Sequence, residues 1–419
     1  QKTAYEISTR DWSSDVCSSD LLRTGSASVR ASLVKGWRAH MTKLRKPPAS
    51  LVNARQRQTY LTSAMMLAAS EDKATPGAFI ASPSSPWAWG NPGGSTTGYH
   101  SVWGRDAYQI GTALLAMGDT AAATRIVRFL LDVQSKSDGG MPQYSMVDGT
   151  PMAGGVQLDQ VALPIVLTWQ LSLPGSTIWP QVKAAADYLI NWRATLESIL
   201  TTAPASAQER WEEKAGYSPS TIAAAIAGLV CAADIATGRG DTARAATYLN
   251  TAKDWAAKVK SWTMTTTGPL SAQPYFLRLS RTGDPNAGTK LNTGNGGPTV
   301  DERSVVDAGF LELVRLGVLP ADDADIVQSL KVIDSTISAK IGNHTYYYRY
   351  NHDGYGESAD GSAWSMSAGG KGRLWPLLSG ERGEYNLAAG VSAAPQLAAM
   401  TAAARIDRFC MNSLQKNRC

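Results

Sequence analysis

The stretch WEEKAGYSPSTIAAAIAGLVCAADI, residues 211–235, carries both the structural and the chemical signal of this chain. Residues 222–233 form a twelve-residue run without a charge, its apolar positions at helical spacing. A bilayer span needs roughly 20 apolar residues, so this run reads as a helix buried in a protein core, with no membrane partner expected. Ahead of it, Trp211 precedes two adjacent carboxylates, Glu212 and Glu213. A glutamate wedged against an indole is poorly solvated when charged and keeps its proton toward neutral pH, as a general acid must. The plain alternative is a pair of solvated charges favoured by the helix dipole.

Outward from this stretch the chain reads as helix after helix. Apolar residues recur at helical spacing over 59–69, 107–116, 121–133, 158–171, 182–199, 221–235, 243–259, 304–316, 324–337 and 385–403. Two helices begin alike, after Gly118-Asp119-Thr120 and Gly240-Asp241-Thr242, where glycine can close one helix and Asp or Thr can cap the next. The connections 82–102, 269–300 and 341–373 are long and rich in aromatics, and connections of that length are usually functional. The expected fold class is all-α, an α/α barrel whose long loops build a pocket at its mouth, with a short strand over 345–350.

With 43% hydrophobic and 18% charged residues in 419, the composition is that of a soluble globular protein. The 13 Trp and 15 Tyr supply flat faces on which sugar rings can stack. A net charge of +5 without a basic run argues against a nucleic-acid partner. Four scattered His and four Cys support neither a metal site nor a disulfide framework, and Cys231 reads as a small core residue. Residues 11–21 read as the one-frame translation of a short-read sequencing adapter, so 1–21, with Cys17, are expected to be an assembly scar.

Two further clusters combine cations, carboxylates and aromatics. Tyr99-His100-Ser101-Val102-Trp103-Gly104-Arg105-Asp106 offers a donor fork and an acceptor for neighbouring hydroxyls, or a helix-start salt bridge under a core Trp. Residues 349–357, from Arg349 to Glu357, share a glycine-rich loop with Trp364, and read either as sugar contacts or as a polar turn held by Asp353.

Taken together, segments 98–106, 209–229, 299–317, 348–357 and 372–389 resemble, in order and spacing, glycoside hydrolase family 15, the glucoamylases and glucodextranases of the bacterial branch. The resemblance covers residues 33–404 and implies an (α/α)6 barrel, incomplete at its last helix, over 22–404. It implies an exo-acting, inverting α-glucosidase that releases β-glucose from an α-glucan, without a cofactor or metal. It makes Glu212 the general acid, with Trp211 and Glu213 helping to hold the sugar. Arg105 and Asp106 would grip the hydroxyls of the non-reducing glucose against Tyr99 and Trp103, with Arg349 and Trp364 completing the wall. It also implies a monomer that is secreted or periplasmic, with an N-terminal β-sandwich domain encoded upstream.

Two departures from the family pattern bear on activity. Gln160 stands where the pattern has a glutamate, in Gln157-Leu158-Asp159-Gln160. An inverting site needs a second carboxylate about 6.5–9.5 Å from the acid, as base. Residues 405–419, where the family's base segment is expected, contain no glutamate and are read as a spurious tail that includes Cys410 and Cys419. Glu381 and Glu384 are the nearest substitutes, Glu381 reading more easily as an ion pair or dipole partner. α-1,6 specificity, trehalose cleavage as a more distant option, and a non-catalytic glucan binder or inactive fragment remain the alternatives.

Overall fold

A computed structural model describes residues 25–83, 98–152, 154–196, 199–356, 358, 360–362, 369–370 and 372–404. The suspected scar, the suspected tail, Glu357 and Trp364 lie outside the described residues. The chain divides into two compact units, one formed by 1–135, 144–153 and 170–172, the other by 136–143, 154–169 and 173–419.

The first unit holds α1 (Ser26–Lys43), α2 (Ala54–Ala69), α3 (Gly104–Ala116) and α4 (Thr120–Arg128), which runs on as a π-helical turn, Phe129–Gln134. α1 packs on α2, α2 on α3 and α3 on α4. The α3–α4 junction follows the expected chemistry. Gly118 sits at φ 87° and the Asp119 carboxylate accepts from Ala122 N at 3.1 Å. α1 was not anticipated, because its apolar residues form no clear stripe.

In the second unit helices make up most of the regular structure, with α5 (Leu158–Gln170), α6 (Gly175–Asn191), α7 (Pro219–Gly238), α8 (Thr242–Thr263), α9 (Leu311–Arg315), α10 (Ala324–Thr336), α11 (Pro376–Ala388) and α12 (Ala394–Ala403). α7 is the apolar run, started by Pro219 in its first turn and packed against α6, α8 and α9. It is long and apolar enough to cross a membrane, but 72% of its most apolar window is buried inside the protein, so it serves as a core helix. At its far end Gly240 adopts φ 75° and Asp241 caps α8 through Arg244 N at 3.2 Å. α5 and α7 run side by side in the same direction. A Cβ on Gly228 would lie 2.9 Å from Ala162 Cβ, and further along both helices Trp169 Nε1 donates to Asp234 at 2.8 Å.

Three expected helices differ. The one over 182–199 begins at Gly175 and stops at Asn191, and β-branched residues then pair as a hairpin, Arg193–Leu196 with Ile199–Thr202. The one over 304–316 shrinks to a 3₁₀ turn and the short α9, because the Asn351 amide takes Val306 N at 2.8 Å and Ser304 O at 2.6 Å. With its backbone satisfied by a side chain, that segment is buried without being helical. The one over 385–403 is two helices, α11 and α12, parted by Gly390 at φ 70° and restarted with a proline in the first turn. The expected strand is present as His344–Tyr348.

The close approach of α5 and α7 has a direct test. Gly228→Leu should lower the unfolding free energy by about 1–3 kcal/mol through overpacking, visible as a lower Tm. An unchanged Tm would contradict the contact.

Candidate active site

In the second unit, residues 209–214 make a tight turn ahead of α7. Glu209 N donates to Lys214 O at 3.0 Å, Glu212 N to Glu209 O at 2.8 Å, and Trp211 N to the Glu209 carboxylate at 3.0 Å. Glu212 stands at φ 65°, left-handed backbone that costs a non-glycine residue about 1–2 kcal/mol. The turn sends three consecutive side chains to three different sets of partners.

Trp211 packs against Leu279, Leu291, Val305 and Tyr350, and its Nε1 donates to Asp307 at 2.8 Å. Burial pushes the Asp307 carboxyl up to about 6, against the pull of Arg210 and with a further push from Glu209. Arg210 lies over the Trp211 ring at 4.6 Å and pairs with Glu381. Glu381, a residue of α11, therefore belongs to an ion pair with Arg210, while its neighbour Arg382 pairs with Asp334 at 3.0 Å. Glu384 is more than half exposed and lies 3.8 Å from Arg315.

Glu212 is met by amides. Gln143 Nε2 donates to one carboxylate oxygen at 2.8 Å and Gln157 Nε2 to the other at 3.0 Å. Gln157 also donates to Gln208 at 3.0 Å, and accepts from Gln160 at 2.8 Å.

Glu213 points into a buried charge cluster. Arg278 Nη2 donates to it at 2.6 Å and to Glu209 at 2.7 Å, while Arg278 Nη1 donates to Thr293 O at 3.1 Å. Arg349 reaches Glu213 at 3.1 Å and grips Asp353 with two bonds of 2.7 Å. The Tyr350 hydroxyl donates to Glu213 at 2.5 Å, and the Asn295 amide also binds it. Burial pushes the Glu213 carboxyl above the usual carboxylate range, opposed by Arg278 and Arg349. The Arg349 guanidinium sits among Trp211, Tyr350, Tyr355 and Trp375, within 5.2–5.9 Å of each ring.

The structure thus brings Trp211, Glu213 and Arg349 into one network, with Glu212 beside them in the chain and turned to a separate set of amides. Tyr99, Trp103, Arg105 and Asp106 belong to the first unit. There Trp103 stands just ahead of α3, stacked on Tyr144 at 4.3 Å and tilted against Tyr99 at 5.9 Å. Arg105 and Asp106 occupy the first turn of α3, both half-buried. Sequence reading missed Arg278, Tyr144 and the glutamines Gln143 and Gln208. A lone arginine between apolar residues at 276–279 was the one available sign of a buried cation.

The family model of glycosyl hydrolases family 15 matches residues 54–406. The chain belongs to that family. It is 41% identical over 376 residues to a glucoamylase of Clostridium sp. (strain G0005), covering 89% of this chain and 50% of the relative. A bacterial glucoamylase solved in complex with acarbose superposes with a TM-score of 0.82 at 40% identity, over 91% of this chain and 54% of that one. The chain spans about half the length of both relatives. At 14% identity and a TM-score of 0.53, a glucoamylase from Saccharomycopsis fibuligera shares the fold, over 82% of this chain and 73% of its own.

The charge cluster yields two expectations. Arg278→Met leaves two buried carboxylates without their shared cation and should cost about 3–5 kcal/mol in denaturant unfolding; a loss under 1 kcal/mol would show that the cluster is dispensable. Asp307 titrates at 3.8 in an unfolded chain and at about 6 here, so the folded state holds its proton more tightly. Its contribution is full below the unfolded value and is lost as pH rises through the folded one. Relative to Asp307→Asn, the wild type should lose roughly 1–3 kcal/mol of stability between about pH 4 and about pH 7. A difference that stays flat across that range would contradict the assignment.

Proposed function

We propose that this family 15 domain hydrolyses α-glucans from the non-reducing end with inversion, releasing β-glucose, on an (α/α)6 barrel. The observation that carries the reading is Glu212, held at both oxygens by amide donors on a strained turn, in a chain 41% identical to a glucoamylase. The parallel run of α5 and α7, the first preceded directly by Gln157 and the second by the 209–214 turn a few residues upstream, supports the barrel. In this reading Glu212 gives its proton to the glycosidic oxygen as that oxygen leaves C1. Water adds to the opposite face of the sugar and loses its proton to a base. As the family resemblance implies, Arg105 and Asp106 are assigned to the hydroxyls of the terminal glucose against Tyr99 and Trp103, Trp211 to holding the sugar, and Arg349 and Trp364 to the pocket wall. Glu213, already holding two arginines, acts by fixing Arg349. The names of the relatives favour α-1,4 linkages over the α-1,6 linkages of a glucodextranase. A monomer acting on an extracellular or periplasmic polysaccharide completes the proposal.

A second reading, a glucan-binding domain without turnover, is favoured by one observation. Residues 405–419 contain no glutamate, and Glu381, a possible substitute for the base, is tied to Arg210.

Proton NMR of fresh maltose digests tests the first reading. The β-anomer of glucose should first appear in excess over the α/β mixture carried by the released reducing-end glucose, whereas an initial excess of the α-anomer would exclude inversion, and bound but uncleaved maltose would favour the second reading. Glu212→Gln should lower kcat for maltose by about 10²–10⁴-fold and leave sugar binding in place. Near-wild-type turnover would remove Glu212 from the acid role.

A further inference from the structure

We infer that Gln160 is a positioning residue for Glu212, because its single amide nitrogen anchors both arms of the clamp that grips the carboxylate. The inference rests on the hydrolytic reading above. Gln160 Nε2 donates to the backbone carbonyl of Gln143 at 2.9 Å and to the side-chain oxygen of Gln157 at 2.8 Å. Those two residues are the ones whose own amides take the two Glu212 oxygens, at 2.8 and 3.0 Å. One buried NH₂ group therefore holds the main chain of one arm and the side chain of the other. Gln160 and Gln157 are each only 1% exposed, so water does not readily replace these bonds.

The polarity of the clamp is set as well as its shape. A backbone carbonyl can only accept, so the Gln160 nitrogen must face Gln143. Its second hydrogen then requires an acceptor, which fixes the oxygen of Gln157 toward Gln160 and the NH₂ of Gln157 toward Gln208 and Glu212. A Gln157 turned over would set its oxygen against the Glu212 carboxylate and its NH₂ against another donor. The relay admits one orientation. Neither arm offers its Glu212-facing nitrogen as an acceptor, so a proton on Glu212 finds no partner in these two amides.

The geometry also explains how a residue without a bond to Glu212 can govern it. Gln160 lies in the first turn of α5, a helix that meets α7 where Ala162 approaches Gly228, whereas Gln143 and Gln157 precede that helix. Losing the Gln160 NH₂ frees Gln157 to rotate and removes one tie on the main chain of Gln143. The carboxylate would then sample positions from which its proton no longer meets the leaving oxygen.

The test is a substrate comparison on the intact chain. Gln160→Met keeps the length of the side chain and removes its donors. With maltose, whose sugar leaving group must be protonated, kcat should fall about 10–100-fold with KM within about twofold. With α-glucosyl fluoride, whose leaving fluoride needs far less help from an acid, the fall should be at most about threefold. Gln157→Met should show the same split and serves if Gln160→Met does not fold. Equal losses on the two substrates would mean a merely structural role and overturn the assignment, as would unchanged kcat on maltose. A wild-type chain that turns over neither substrate would instead sink the hydrolytic reading, and the positioning role with it.

Discussion

The second unit depends on one buried arginine. Arg278 has no exposed surface and lies over the Tyr350 ring at 3.7 Å, with Glu209 and Glu213 sharing one end of its guanidinium and Thr293 O the other. Stripping a guanidinium of water is costly, and only close anionic partners and carbonyl acceptors offset it. Those partners come from segments far apart in sequence. The 209–213 turn, the loop at 293–295 and the 349–353 loop meet because each contributes to one network of charge. Arg349 extends it to Asp353 and to a ring of aromatic side chains.

This network accounts for the strain at Glu212. A left-handed glutamate persists only where its surroundings over-determine it. Here Glu209 is fixed by Arg278 on one side of the turn and Glu213 by Arg278, Arg349 and Tyr350 on the other. Between these two immobilised carboxylates, Glu212 accepts from the amides of Gln143 and Gln157. Two adjacent glutamates thus acquire different surroundings, Glu213 among arginines and Tyr350 and Glu212 against glutamine amides.

Much of this was legible in the sequence where local chemistry decides. Gly118-Asp119 and Gly240-Asp241 cap their helices as their residue types require, and the apolar run became the core helix α7. The failures share a cause. The spacing at 304–316 looks helical because both faces of that segment are buried, yet Asn351, more than forty residues away, satisfies its backbone. The Trp211-Glu212-Glu213 motif was visible, whereas the glutamine amides at 143 and 157 that meet Glu212 were not. Arg278 was silent because its meaning lies in carboxylates 65 and 69 residues distant. Gln160 stood out as a departure from the family pattern, and only its hydrogen bonds show what an amide does there.

The central claim is that Glu212 presents its carboxyl to a glycosidic oxygen from this rigid turn. A crystal structure of Glu212→Gln with maltose tests it most directly. The account expects the glycosidic oxygen within hydrogen-bonding reach, about 2.6–3.2 Å, of the side chain at 212, with the Gln143 and Gln157 amides still in contact with that side chain. Maltose bound with its glycosidic oxygen beyond reach of position 212, and nearer another carboxyl group, would contradict it.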